Sequence, residues 1–422
     1  MIQNKDRIDE SANDALDILE AGLHAAQPEI FLPTFVKKNK LILGKKSYAL
    51  SKYDKVFLVA VGKAADSMAQ FVHNKIKSDG GIIVVPRNYR VLFSHKKFQI
   101  LRAGHPLPTN ASVKAAMSII AFLESRKKDD LVVFLVSGGA SALVSLPLGV
   151  TLAQKQHLVR VLLGSGAAID EINALRKHLS QVKGGRILKH LKCNAVSFVM
   201  SDVVGDDLSS IGSGLTYCDR TTFSKCNKII QKYRLQKRLS PQILAVIKNG
   251  MRGLVDETPK KPVIPHQIVA TNKRCLDAME TTARRLGYKT NRIYPLTGDV
   301  AAAAGRLVRE FSFAKRSCLV FGGETTVHVR GNGRGGRNQE LVLHVLNAAS
   351  KNALVASVGT DGIDGNTRCA GAMSRTGIPA SEIRRYLENN DSNSFFKKHG
   401  GLIMTGPTHT NLMDLGVILT AN

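Results

Sequence analysis

Tryptophan is absent from this 422-residue chain, and aromatic residues make up only 5% of it. A surface that binds nucleic acid by stacking bases on aromatic rings has little to build with, and no zinc finger, RRM signature or aromatic-interleaved basic tract occurs. Metal-ligand spacing is missing too: the twelve histidines form no HxH or HExxH pair, which argues against a zinc enzyme. The six cysteines (Cys193, Cys218, Cys226, Cys275, Cys318 and Cys369) form no CxxC pair and no framework spacing, so free thiols in a reducing cytoplasm are expected. No repeat of solenoid period stands out. The start, MIQNKDRIDE, lacks the apolar core of a signal peptide. One long uncharged stretch, residues 131–154, contains Gly138, Gly139 and Pro147, which suit a buried strand and a turn better than a membrane span.

Acidic residues are scarce, 33 against 60 Lys and Arg, for a net charge of +27. The bases are scattered (Lys37, Lys38 and Lys40; Lys45 and Lys46; Arg126 to Lys128; Lys260 and Lys261) and do not form one stripe. The expectation is a field that attracts anionic small molecules, without specific nucleic-acid binding. Whether the chain forms a homo-oligomer stays open.

What is present is α/β grammar. Ile8, Ala15, Ile18, Leu19 and Leu23 have helical spacing. Beyond them, KVFLVAVGKAADSMAQFVHNKI reads as an apolar strand, a Gly-Lys turn and an amphipathic helix, and the pattern recurs at LVVFLVSGGASAL and VSFVMSDVVGDD. The apolar runs are continuous, as for strands covered on both faces, so a parallel sheet between helices follows. The texture changes over QKRLSPQILAVIKNGMRGLVDETPKKPVIP. The reading therefore divides the chain into a Rossmann-like parallel-sheet domain over 1–245 and a smaller α/β domain over 246–422, whose last helix packs back on the first. A hairpin-like pair between Leu319 and Arg330 implies a mixed second sheet.

Glycines and polar residues gather where strands end, the place where open α/β sheets put ligands. In SGGASAL, Gly138 and Gly139 allow successive N–H groups to converge on an anion, with Ser141 adding a hydroxyl; a bare strand-to-helix turn explains them equally well. Lys63 opens a helix after Gly62, where a lysine meets a phosphate, although Phe57 and Ala64 exclude a Walker sequence. SDVVGDD offers Asp202, Asp206 and Asp207 as hard oxygen ligands for magnesium, or as helix caps. RGNGRGGRNQE contains a literal GxGxxG after a strand, but position 356, where a dinucleotide site would place an acid, is Ala. Arg334 and Arg337 make the turn an arginine-rich anion clamp instead. Glu324, Asp361 and Asp364 supply further carboxylates, each weak evidence alone, Asp-Gly being a common turn pair.

Taken together and in order, VGKAADSM, HPLP, VSGGASAL, INALRKHLSQVKGGR, SDVVGDDLSSIGSG, GGETTVHVRGNGRGGRNQE, GTDGIDGNT and TGPTHTNLMDL resemble the class II glycerate kinases, built from a glycerate-kinase domain and a MOFRL-type domain. The resemblance covers nearly the whole chain. Ala140, Leu215, Thr109 and His409 depart from the family pattern, in loop shape more than charge. The resemblance implies ATP and a divalent metal, an active site in a cleft between two domains, D-glycerate as substrate and 2-phosphoglycerate as product. It also implies that Lys63 and Arg337 matter for activity. On this expectation Lys63, Arg337 and Asp202 are catalytic, Asp202 and Asp207 hold Mg²⁺, and Gly138, Gly139, Ser141, Asp207, Glu324 and Arg334 bind the cofactor. The rival expectations are a hydroxypyruvate reductase-type oxidoreductase and, ranked below it, a basic nucleic-acid-binding protein.

Overall fold

The computed structural model describes residues 1–5, 12–349 and 351–420, so Ile8 of the expected first helix lies outside the described residues. The chain forms two compact units, residues 32–269 and residues 1–31 with 270–422.

The first unit is built on strands β1 (Val56–Val61), β2 (Gly80–Pro86), β3 (Phe98–Ala103), β4 (Leu131–Val136), β5 (Asn194–Met200) and β6 (His266–Ala270), in the order β3-β2-β1-β4-β5-β6. Neighbours from β3 through β5 pair in parallel, with Val59 facing Ile82 on one side and Phe134 on the other. Every residue of β1 and β4 is buried, which is why their sequences do not alternate. Val59, Val61, Phe134 and Val136 pack on Ala115 and Ile119 of the helix Asn110–Glu124. A second core gathers Leu158, Leu175, Phe223 and Ile243 from four helices between residues 152 and 251. Strand order reverses between β1 and β4, and the crevice beyond their carboxyl ends is where this topology binds ligands. The proline-rich stretch before β6 stays with this unit, since Ser197 donates to the Pro265 carbonyl at 2.9 Å.

The second unit has strands β7 (Lys289–Asp299), β8 (Ser317–Thr326), β9 (Ala353–Gly359), β10 (Gly371–Arg375), β11 (Leu402–Ile403) and β12 (Asp414–Thr420), ordered β7-β8-β12-β9-β10-β11. Only β7 and β8 run parallel; the other pairings are antiparallel, so the sheet is mixed as expected. The expected hairpin between Leu319 and Arg330 is not what makes it so. Residues 317–326 form one strand whose antiparallel partner is β12, and 327–336 contain no strand. Its paired glycines are not a turn: Gly323 takes φ +144° because a Cβ there would lie 2.2 Å from the Leu296 carbonyl oxygen. The helix Asn13–Ala25 buries Ala15, Ile18, Leu19 and Leu23 against the helix Asn272–Arg285 and β12. Its contacts thereby join the start of the chain to the second sheet.

Candidate functional site

The β1/β4 crevice is closed by two hydrogen bonds between loops. The Lys63 N–H donates to the Gly138 carbonyl at 2.8 Å and the Ala64 N–H to Ser137 Oγ at 3.0 Å. Gly62, at φ +135°, is where the loops touch; a Cβ on it would lie 2.0 Å from Ser137 Oγ. Gly139 takes φ +86° at the start of the short helix Ala140–Leu143, and its missing Cβ makes room for the His105 ring and the Lys63 side chain, 3.0 and 3.6 Å from that position. Three expected residues, Lys63, Gly138 and Gly139, are therefore neighbours. Gly138, however, presents its carbonyl to the Lys63 N–H.

Ser141 proves to be the centre of a cationic cluster. Its hydroxyl meets Ser213 Oγ at 2.7 Å, Arg176 Nη2 at 2.5 Å and Lys183 Nζ at 3.0 Å. Lys183 is almost fully buried and also donates to the Ser141 and Val144 carbonyls, at 2.5 and 3.3 Å. Lys155 joins them, 4% exposed, its ammonium finding no hydrogen-bond partner. Burial pushes both lysines well down from their ordinary range, and the positive charge of Arg176 adds to the effect. Sequence reasoning missed Lys155, Arg176 and Lys183. A signal existed for Lys155, which shares the apolar face of the helix Leu152–Gly164 with Leu158, Val161 and Leu162.

In the loop after β5, Asp207 accepts from Ser209 N–H (3.0 Å), Ser209 Oγ (2.6 Å) and Ser210 Oγ (2.8 Å), the capping alternative of the sequence reading. Burial pulls its carboxyl up, but these bonds outweigh it and the net shift is downward. Asp206 Oδ1 is buried without a hydrogen-bond partner, and Asp202 stands at the end of β5 in the same loop.

The second unit holds the glycine–arginine turn. Its amides do not converge on an anion: N–H groups of Arg330 and Gly331 donate to Asn390 Oδ1, Asn332 to Asn389 Oδ1, Gly333 to the Asn389 carbonyl, Arg334 to Asp391 Oδ1, and Gly335 to Asn366 Oδ1. The glycines exist for close packing, a Cβ on Gly335 lying 2.1 Å from Ser392 Oγ. What the turn delivers is Arg337, first residue of the helix Arg337–Ala348. Its Nε and Nη2 grip Asp414 at 2.6 and 3.0 Å, and Nη1 reaches Glu324 at 2.6 Å. Burial alone would lower its pKa, but Asp414, Glu324 and Asp361 raise it, so the guanidinium is permanently charged. Three of its five N–H donors are engaged and two remain. Asp364 caps the same helix, accepting from the Asn338 and Gln339 N–H groups at 3.0 and 2.9 Å, and burial pushes its carboxyl up. Glu324, Gly335, Gly336 and Arg337 line a cavity of about 520 Å³, beside which Arg334 is exposed.

Comparison with known proteins decides the family. Residues 14–248 match the family model described as domain of unknown function DUF4147, and residues 317–414 match the MOFRL family. The chain is 38% identical to a D-glycerate 2-kinase of Thermotoga maritima, covering 95% of this chain and 96% of that one. It is 34% identical to a glycerate 2-kinase of Pyrococcus horikoshii, covering 97% and 98%. This chain belongs to the glycerate 2-kinase family. The crystal structure of the Thermotoga maritima glycerate kinase superimposes on this family member with a TM-score of 0.80 at 34% identity, over 97% of this chain and 99% of that one. Like those relatives it is a phosphotransferase by family. The rival expectation, a hydroxypyruvate reductase, is not favoured: the amides of residues 330–335, which a dinucleotide would need, are already paired. Among the described residues of this glycerate 2-kinase family member, no group of three or more His, Cys, Asp or Glu is arranged to hold a metal, and no helix is long and apolar enough to cross a membrane. All six cysteines are free thiols, five of them buried.

Proposed function

We propose that this chain transfers a phosphoryl group from ATP to D-glycerate and releases 2-phosphoglycerate. The observation that carries the reading is Arg337: a guanidinium preset by two carboxylates with two donors to spare, in a chain whose relatives are named glycerate 2-kinases. Phosphoryl transfer asks a protein chiefly for positioning and charge neutralisation. Lys63 and Arg337 supply that charge, and Gly139 and Ser141 shape the crevice beside Lys63. Glu324, which accepts from Arg337, and the exposed Arg334 of the same turn are the proposed contacts to the nucleotide. Magnesium fits the loop after β5, because it accepts one or two carboxylates together with substrate phosphates and needs no cage of three. Asp202 and the unpartnered oxygen of Asp206 suit that role; Asp207 does so only by giving up its bonds to Ser209 and Ser210. When bound, the ion would screen the phosphate charges. Asp202 is also the nominated base for the acceptor hydroxyl, so Asp202→Asn should lower kcat by roughly 100-fold or more, the span of general base catalysis. Full turnover in that variant would remove both roles.

The decisive assay incubates the purified protein with D-glycerate, ATP and Mg²⁺ and couples the product to enolase. Signal with enolase alone is the expected outcome. Signal only after phosphoglycerate mutase is added would mean the 3-isomer, and none in either case would overturn the reading.

A further inference from the structure

Beyond Ser141 lies a cavity of about 320 Å³ that the phosphoryl-transfer machinery described above does not use. Three cations, Lys155, Arg176 and Lys183, form its charged end and the exposed Arg160 also lines it, while Pro106, Leu107 and Leu163 contribute apolar walls. Among the described residues no carboxylate lines it. The three cations differ in their needs. Lys183 has its three donors directed at Ser141 O, Ser141 Oγ and Val144 O. Arg176 gives two of five donors to Ser141 Oγ and, at 3.4 Å, to Asn173 Oδ1, which leaves three. Lys155 has all three donors unmet although it is 4% exposed.

A buried ammonium without partner or counter-ion is costly, and proteins rarely keep one without a use. Six unmet N–H donors, three from Lys155 and three from Arg176, ask for a group that only accepts, carries negative charge and matches a guanidinium fork; an ionised carboxylate does all three. The cavity also adjoins the place where phosphoryl transfer is proposed. Pro106 and Leu107 directly follow His105, whose ring packs at Gly139 beside Lys63. Ser141 is two residues beyond Gly139.

We infer that this cavity is the acceptor site, in which Lys155 and Arg176 bind the carboxylate of a small hydroxy acid so that its hydroxyl end points towards Lys63. The inference rests on the kinase reading for the identity of the acid, D-glycerate, but not for the existence of the site. Lys183 acts as a positioning residue: it fixes Ser141, and through it Arg176. The apolar walls admit a short carbon chain.

The test separates binding from turnover. Thermal unfolding of the full chain is followed with D-glycerate, glycerol or inorganic phosphate, without ATP, in the wild type, Lys155→Met and Lys155→Arg. D-glycerate should stabilise the wild type, glycerol should not, and Lys155→Met should abolish the shift while unfolding no earlier than wild type without ligand. In steady state, Lys155→Met should raise KM for D-glycerate about tenfold or more and leave KM for ATP within about twofold, because a charged hydrogen bond is worth about that factor. Lys155→Arg should recover part of the loss. An unchanged glycerate shift and KM in Lys155→Met would overturn the inference, as would a Lys155-dependent shift with phosphate as large as that with D-glycerate. If Lys155→Met fails to fold, Arg176→Lys carries the same comparison. A wild type that shows the Lys155-dependent glycerate shift but no kinase activity would sink the proposed function and leave the acceptor site standing.

Discussion

Arg337 has a cost and a use that can be separated at the level of single residues. Asp414 and Glu324 hold its side chain so that little rotamer entropy is lost when its remaining donors meet an anion. Lys63 reaches its place by a different route, fixed at its backbone by Gly138. If both act on the same transferring phosphoryl, their effects are not independent. Lys63→Ala and Arg337→Ala should each lower kcat roughly 100- to 1000-fold, as for removal of one transition-state donor. The double variant should fall well short of the product of the two losses. Strict multiplicativity in single-turnover measurements would assign them to separate events. The residues proposed to matter were only partly visible in sequence. Arg337 stood in a motif dense with glycine and arginine, and Lys63 in a strand–turn–helix. Lys155 occupied the apolar face of an ordinary-looking amphipathic helix, where a single buried charge is visible only once the face it packs against is known.

Among the elements, the turn over 330–336 shows why a literal motif misleads. Its spacing matches a dinucleotide fingerprint, but the segment is clamped by the Asn389–Ser392 loop, and the amides that would cradle a pyrophosphate are bonded to side chains instead. Asn390 is the keystone. Its Oδ1 accepts from two amides of the turn while its Nδ2 donates to Glu340 on the following helix at 2.9 Å. Asn390→Ala should therefore loosen the turn and unmoor Arg337, lowering kcat/KM about tenfold or more while the urea midpoint falls only slightly. It should also open the 328–336 segment to limited proteolysis. Unchanged activity alongside new cleavage there would show that Arg337 needs only its carboxylates. The expected hairpin failed for a related reason: a glycine pair in a strand signals either a turn or a close neighbour, and only the presence of Leu296 and β12 distinguishes them.

For the whole molecule, the surplus of positive charge governs solution behaviour more than fold. Scattered bases should give retention on heparin that disappears at modest salt and no discrete shift of a DNA duplex; a sequence-dependent complex surviving 0.2 M salt would reopen the nucleic-acid reading. Acid stability depends instead on the few carboxylates. Glu171 is held at about 2 by its bond from Lys232, helped by Tyr233, against an ordinary value of 4.5. Burial lifts Asp219, but Lys177 at 3.1 Å leads the effects that bring it below its usual value. Both are more easily protonated in the unfolded chain. The Glu171 contribution is thus complete above about pH 4.5 and is lost as pH falls towards 2, and that of Asp219 is lost in the same direction, below its ordinary value. Burial holds His178, His266 and His344 below the ordinary histidine value, so the urea midpoint should begin to fall below about pH 6.5 and fall further from 5 to 3, where Glu171→Gln should show a shallower drop; a midpoint constant down to pH 3 would refute this. By itself the sequence determined the parallel sheet, the family and the loops that carry Lys63 and Arg337, because continuous apolar runs and strand-end glycines are local signals; the second sheet is mixed as expected, but through long-range pairing with β12 and not through the hairpin. Tertiary structure alone decided that the first helix joins the second sheet, that the amides of residues 330–335 are paired with the neighbouring loops, and that Lys155, Arg176 and Lys183 line one cavity. Those facts depend on contacts between residues far apart in the chain, which no local pattern records.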